Sequence, residues 1–539
     1  MLETEKSILI VIIILIAVGS FLRVYGVKEV YTEYDDIGVI SIHKAHIGSK
    51  NINPTKSLVD YPIQVDMESV NSIENNLLLP FYIAYTWTYA PAQYIVLPLL
   101  LDEEDTFEEA VLKGRVVSAI FSISGICLLA YLMYVINGHL LTWIIPVVIS
   151  IPIFSANSIL YAHHMSPYSA YFFSTTLGLF LLFKYFTSRI SFRQIVIFLS
   201  LLLYLSYLTV LFALPVLLIY LVKWKKEEDL HFSKNLSSDF VTILIGFVIS
   251  LPALFILKSN SGGKGIMPPE YSGIASLRDI SLHFINQISV SIESMMYGFF
   301  RHDYIFTLLA FLFALILVKK IFFSSKRLSK SSVYIFSTLL ILLQWLILHF
   351  FGLLPLDETR HMLIILPLFT LLVFYVLRNF VIKSYSLIFA LSILLIASSA
   401  SIYSLNLIES KYSNFDYDFL NARNESVILL YRSTLGPLKY YDQSDKKVYF
   451  IDMQSFQNHY TKMDFPDEIL LVSQQAEIYD EGLYEKYKNS LPGLFCNYSL
   501  KDLYLKESGT YFTYNNYPAN SNKNGMFVYQ MKKNNKIEC

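Results

Sequence analysis

Just past an apolar N-terminal stretch the sequence runs Tyr31-Thr-Glu-Tyr-Asp35-Asp36-Ile-Gly-Val-Ile-Ser-Ile-His43-Lys-Ala-His46. A carboxylate held at a membrane surface can act as a general base. On a helix Asp36, Ile40 and His43 share a face, but a 1.5 Å rise separates Asp36 from His43 by about 10 Å, too far to ligate one ion. The plain alternative is a solvated acidic turn. A second group, Tyr161-Ala-His163-His164-Met-Ser-Pro167-Tyr168, sets two histidines before a rigid X-Pro step. They suit a metal, or a hydrogen bond to phosphate or sugar. Adjacent residues do not share a helix face, so joint ligation requires irregular backbone; a structural role at the interface is the alternative, with Tyr161 and Tyr168 as aromatic-belt residues. The third is Leu356-Asp357-Glu358-Thr-Arg360-His361. A guanidinium there suits a lipid phosphate through paired bonds, and His361 lies beside it. Its alternatives are snorkelling or a local pair with Asp357 or Glu358. Arg301-His302 is a further phosphate candidate, and Arg115 stands at the opening of an apolar run. A carboxylate base with a cationic phosphate clamp is what transfer from a lipid-phosphate donor needs.

The elements that must position these groups follow from composition. Of 539 residues 54% are hydrophobic and 16% charged, against roughly a quarter charged in soluble proteins. The shortfall is regional: residues 404–539 hold 32 charged residues, and the preceding 403 hold only 53. This excludes a soluble enzyme and a disordered chain, and a net charge of −1 with no basic face excludes a nucleic-acid binder. The pattern is a polytopic membrane protein with a soluble C-terminal domain.

A spanning helix needs about 20 mostly apolar residues. Suitable runs are 7–25, 115–136, 140–158, 168–187, 194–206, 209–223, 240–257, 304–322, 332–351, 362–378 and 384–403, about eleven spans in all, with 194–206 and 209–223 short enough to be one broken pair. The first lacks a small-residue cleavage site and is expected to be retained. Alternate loops carry Lys184, Arg189 and Arg193; Lys223, Lys225 and Lys226; Lys319 to Lys330; and Arg378 with Lys383. By the positive-inside rule these are cytoplasmic, which puts the N-terminus inside the plasma (inner) membrane and the C-terminal domain outside. Two long external segments result, 26–114 and 258–303. The first contains Leu77 to Leu101, broken by Pro80, Pro91 and Pro98, expected as interfacial helices. Residues 404–539 show short apolar runs (Val427–Tyr431, Lys447–Ile451, Glu468–Val472, Met526–Met531), the pattern of a small α/β domain. Three cysteines allow one disulfide and give no metal spacing.

The acidic pair after the first helix, the long external loop and the second helix, Lys113-Gly-Arg115-Val-Val-Ser118, resemble the C-type (GT-C) glycosyltransferase superfold. Tyr161 to Tyr168 is similar to that family's loop ending in Arg-Pro-Tyr. Arg360-His-Met-Leu-Ile-Ile-Leu-Pro367 is similar to its Arg-Tyr-Leu-Leu-Pro-x-x-Pro run. The resemblance covers 1–403 and lies nearest the branch of protein O-mannosyltransferases and the lipid A aminoarabinose transferase. It implies a polyprenyl-phosphate sugar donor, a protein, lipid or glycan acceptor, and inversion at the anomeric centre. Asp35 matches the family's catalytic Asp. Three positions depart: Asp36 stands where the family has Glu, His164 where it commonly has Glu or Ala, and Ser166 where it has Arg.

The expectation is therefore a membrane glycosyltransferase. Asp35 is the base and Asp36 its neighbour; Arg360, Arg301 and His361 bind the donor phosphate. His163, His164, Tyr168 and Arg115 position substrate. The one cofactor candidate is a divalent metal ion, with Asp36, His163 and His164 as its candidate ligands. The rival is a transporter or flippase for lipid-linked glycans, which needs polar groups at mid-membrane depth; Gln344 is a rare case among helix interiors otherwise almost free of them.

Overall fold

The computed structural model describes residues 3–25, 92–102, 105, 107–165, 167–226, 232–260, 330–350, 362–379, 419–420, 422–423, 427–431, 447–451, 466–475, 498–510 and 523–533. Some 77% of the described residues are helical, and the rest of the regular structure is one small sheet. Asp35, Asp36, Arg301, Arg360 and His361 lie outside the described residues, as do the expected spans 304–322 and 384–403.

Among the described residues, two helices have the length and apolar composition to cross a membrane, Thr4–Val24 within α1 (Glu3–Val24) and Glu109–Ile136 within α2 (Phe107–Ile136). The outer surface of the bundle is apolar. Ile10, Ile13, Ile14 and Phe21 of α1 are each more than half exposed, as are Phe240 and Val248 of a later helix. Exposed large apolar residues of this kind are the pattern of a face that packs against lipid or protein.

The core helix is α3 (Ile144–Phe154), whose residues from Ile145 onward are all buried. A helix apolar all round belongs in an interior. The expected single run 140–158 is in fact two helices. Pro152 has no N–H to donate back along α3, and the chain opens at Ser155 (φ −60°, ψ 120°). Ser155 then caps α4 (Ala156–Ala162), its hydroxyl accepting from the Ser158 N–H at 3.4 Å. Next come α5 (Tyr168–Phe186), α6 (Phe192–Leu202), a 3-10 segment Tyr207–Phe212, α7 (Ala213–Lys226), α8 (Phe232–Asn260), α9 (Lys330–Phe350) and α10 (Met362–Asn379).

A second correction concerns α2. It starts at Phe107, so Arg115 sits two turns inside the helix instead of opening it, and is 3% exposed. Glu109 in the first turn favours the earlier start, because an acidic residue complements a helix N-terminus. Lys113 adds an anchor, pairing with Asp102 at 2.9 Å and Asp105 at 2.8 Å. The described part of the expected interfacial stretch, 92–101, is two short turns, Ala92–Ile95 and Leu97–Leu99. Tyr94 and Leu97 are fully buried against the bundle while Leu99 is 79% exposed.

Helix ends carrying the basic residues are tied together. The Lys223 ammonium at the end of α7 donates to the Tyr185 carbonyl and, at 3.1 Å, to Ser188 Oγ, both at the end of α5. Arg378 at the end of α10 donates to the Ile136 carbonyl, the last of α2, at 2.9 Å. Cations at helix C-termini satisfy orphan carbonyls and face the negative end of the dipole.

The C-terminal strands are β1 (Val427–Tyr431), β2 (Lys447–Ile451), β3 (Glu468–Gln475), β4 (Tyr498–Thr510) and β5 (Lys523–Lys533), in the order β2-β1-β3-β5-β4. β1 runs parallel to β2 and β3, while β5 is antiparallel to β3 and β4. Ile469 to Val472 of central β3 are at most 1% exposed, so both faces of that strand are covered.

Candidate functional site

The described candidates converge where α1 ends. His163 is the C-cap of α4, and its Nε2 lies 2.9 Å from the Leu22 carbonyl in the last turn of α1. A carbonyl only accepts, so Nε2 carries the hydrogen in this contact. His164 follows outside the helix and is fully buried, its ring 6.1 Å from that of Tyr161. Tyr161 also meets Tyr168, the first residue of α5, edge to face at 5.4 Å. Ser169 Oγ donates to the Tyr161 carbonyl at 3.1 Å and holds the two helices at this corner.

Arg115 joins the same corner through its neighbour. Met165 lies over Gly114 so closely that a Cβ on Gly114 would fall 2.1 Å from the methionine sulfur. Any side chain at Gly114 would have to displace the methionine. Of the expected positioning residues, His163, His164, Tyr168 and Arg115 thus share one end of the bundle. They are not interface residues facing water: each is at most 3% exposed.

The sequence reading missed the strongest polar feature of this end. Arg23 is fully buried, and its guanidinium makes five hydrogen bonds. Nε donates to Ser122 Oγ at 2.8 Å on α2. Nη1 donates to the carbonyls of Gly19 at 2.9 Å and Ile153 at 3.0 Å. Nη2 donates to the Pro152 carbonyl at 2.8 Å and to Ser158 Oγ at 2.7 Å on α4. Five acceptors match the five N–H donors of arginine. Two of them are terminal carbonyls of α3, where the dipole is negative. Gly19 permits the approach, since a Cβ there would meet Ile153 at 3.0 Å. The signal was available: Arg23, like Arg360, is a cation at the end of a span opposite the basic loops.

Asp36, the third expected metal ligand, lies outside the described residues; among those described no group of three His, Cys, Asp or Glu side chains could hold a metal ion. The histidine pair is irregular in backbone, as joint ligation demands, but His163 and His164 engage different neighbours, Leu22 and Tyr161.

The described fold is thus a mostly helical bundle with two membrane-length helices and a small mixed sheet. No protein-family model matches the chain, and no curated protein matches it.

Proposed function

We propose that the protein is an inverting glycosyltransferase that moves a sugar from a polyprenyl-phosphate donor to an acceptor hydroxyl at the outer face of the plasma (inner) membrane. The observation that supports this reading best is the contact of His163 with the end of α1, with His164 and Tyr168 against Tyr161 and the Arg115-bearing turn of α2 under Met165 at the same corner. Asp35 and Asp36 follow that end in sequence. The proposed architecture has about eleven spans, a cytoplasmic N-terminus and an extracytoplasmic C-terminal domain. The clustering of Lys223, Ser188 and Tyr185, and of Arg378 with Ile136, is consistent with a single cytoplasmic end.

In this mechanism the Asp35 carboxylate removes the acceptor proton as the acceptor oxygen attacks the sugar C1. The C1–O bond to phosphate breaks, its electron pair leaves on the phosphate, and Asp35 returns its proton to water. Arg360, Arg301 and His361 stabilise the departing polyprenyl phosphate. Asp36, His163, His164, Tyr168 and Arg115 orient the sugar, and a divalent ion is an optional addition.

The test uses full-length protein in lipid nanodiscs with synthetic polyprenyl-phosphate sugars and a mixed acceptor set, followed by mass spectrometry with and without chelator. One donor is consumed by the wild type, and Asp35→Asn lowers that turnover by about 10²–10⁴-fold. Undiminished turnover in Asp35→Asn removes that residue from the mechanism. A donor moved across proteoliposome membranes without chemical change supports a flippase instead.

A further inference from the structure

The segment read from sequence as two short spans has an unusual path through the bundle. It begins at α6, where Arg193 Nε lies 3.4 Å from Asp239 of α8. It ends at α7, where the Tyr220 hydroxyl lies 3.2 Å from the same carboxylate. The Phe192 and Tyr220 rings are 4.5 Å apart. Entry and exit are therefore at one end of the bundle, the end of Lys223 and Ser188.

Neighbouring helices serve as rulers for its depth. The Tyr204 hydroxyl donates to the Ile249 carbonyl at 2.7 Å, ten residues or about 15 Å along α8 from Asp239. Beyond Ile249, α8 continues to Asn260, about another 16 Å. Phe212 packs on Gly178, near the middle of α5; a Cβ there would meet its ring at 2.7 Å. Gln344 Nε2 donates to the Leu211 carbonyl at 3.0 Å and to Leu340 at 3.2 Å. By the α8 and α5 rulers the turn at 203–212 lies halfway through the bundle.

Non-helical backbone at that depth is tolerated only inside protein or beside water. Several buried hydroxyls in the helices return to their own turn, as Thr338 does to Tyr334 at 3.0 Å and Ser250 to Gly246 at 2.7 Å. Ser206 does not: it is fully buried, and its hydroxyl has no hydrogen-bond partner among the described residues. An unmet buried hydroxyl costs about 1–3 kcal/mol, which a water molecule relieves.

We infer that residues 192–226 form a re-entrant hairpin that does not cross the membrane, which lowers the proposed count from about eleven spans to about nine, and that its tip meets water at Ser206. The water enters from the end opposite the basic residues, because α6 and α7 themselves close the near side. The inference rests on the membrane reading above and not on the chemistry of transfer.

The test uses single-cysteine variants of the full chain in right-side-out vesicles, with Cys127, Cys496 and Cys539 replaced by alanine. A small charged methanethiosulfonate and a bulky sulfonated maleimide are applied from outside. Ser206→Cys or Thr209→Cys reacts with the small reagent at least about tenfold faster than lipid-facing Leu201→Cys, because only a hydrated thiol ionises. Neither reacts with the maleimide. Protection of both positions to the level of Leu201→Cys overturns the wet tip. Maleimide labelling of Ser206→Cys overturns re-entrance, since two full crossings would carry it to the outer surface. Arg189→Cys labels only after permeabilisation; labelling in sealed vesicles overturns the membrane orientation instead. Wild-type elution on size exclusion qualifies each variant.

Discussion

The two ends of the bundle use cations in opposite ways. At one end Arg23 is sealed in, and its five bonds reach Ser122, Pro152, Ile153 and Ser158 as well as its own helix. At the other, Lys223 is half-buried and Arg378 exposed, and each reaches across to a neighbouring helix end. The same charge thus does different work according to the water around it. Sealed, it organises the geometry of four segments; near water, it caps carbonyls that solvent would otherwise serve.

The sharpest way to break this contrast is Arg23→Ala. It strands two terminal carbonyls of α3 and two serine hydroxyls in the interior, and should cost about 3–5 kcal/mol of stability. Thermal unfolding in nanodiscs reads this directly. Arg23→Lys keeps the charge but has three donors for five acceptors, so it should recover only part of the loss. A full recovery would mean that charge, not the fork, matters at that end.

Next in size is Gly114→Ala. The new methyl displaces Met165 from the turn that carries His163 and His164, a cost of about 1–3 kcal/mol. On the donor assay this variant should lose turnover more than its stability loss explains. At the opposite end Lys223→Ala should cost about 1 kcal/mol or less, because water replaces the ammonium.

Outside the bundle, the sheet supplies a fully wet reference. Lys501 lies 2.9 Å from Glu468, and this hydrogen bond holds the Glu468 carboxyl below its ordinary range. The pair's contribution is present at neutral pH and is lost as the pH falls through that depressed value. Carboxyl carbon-13 NMR of the full chain should show the Glu468 midpoint rising in Lys501→Ala, with little change in unfolding temperature.

Much of the bundle was legible. The runs 332–351 and 362–378 correspond closely to Lys330–Phe350 and Met362–Asn379, since an apolar stretch of spanning length has few other fates. β1 and β2 were legible residue for residue. β4 was not, because a register shift between Leu500 and Asp502 changes the phase of alternation inside the strand. Hydropathy marked the pair 194–206 and 209–223 as broken but said nothing of the depth of the turn at 203–206: a window sees apolar residues, not the depth at which they reverse. At the candidate site, the sequence singled out His163, His164, Tyr168 and Arg115, whereas their burial was not legible in it. Arg23 escaped because a lone cation at a helix end reads as snorkelling until its acceptors, distant in sequence, are brought together.

That separation in sequence has a consequence for biosynthesis. Ser122 is 99 residues downstream of Arg23, and Ser158 is 135. At 5–20 residues per second, α1 leaves the ribosome on the order of ten seconds before its acceptors exist. Until those segments are made, the guanidinium has only the Gly19 carbonyl of its own helix among these partners. Docking of α1 therefore waits on α2, α3 and α4.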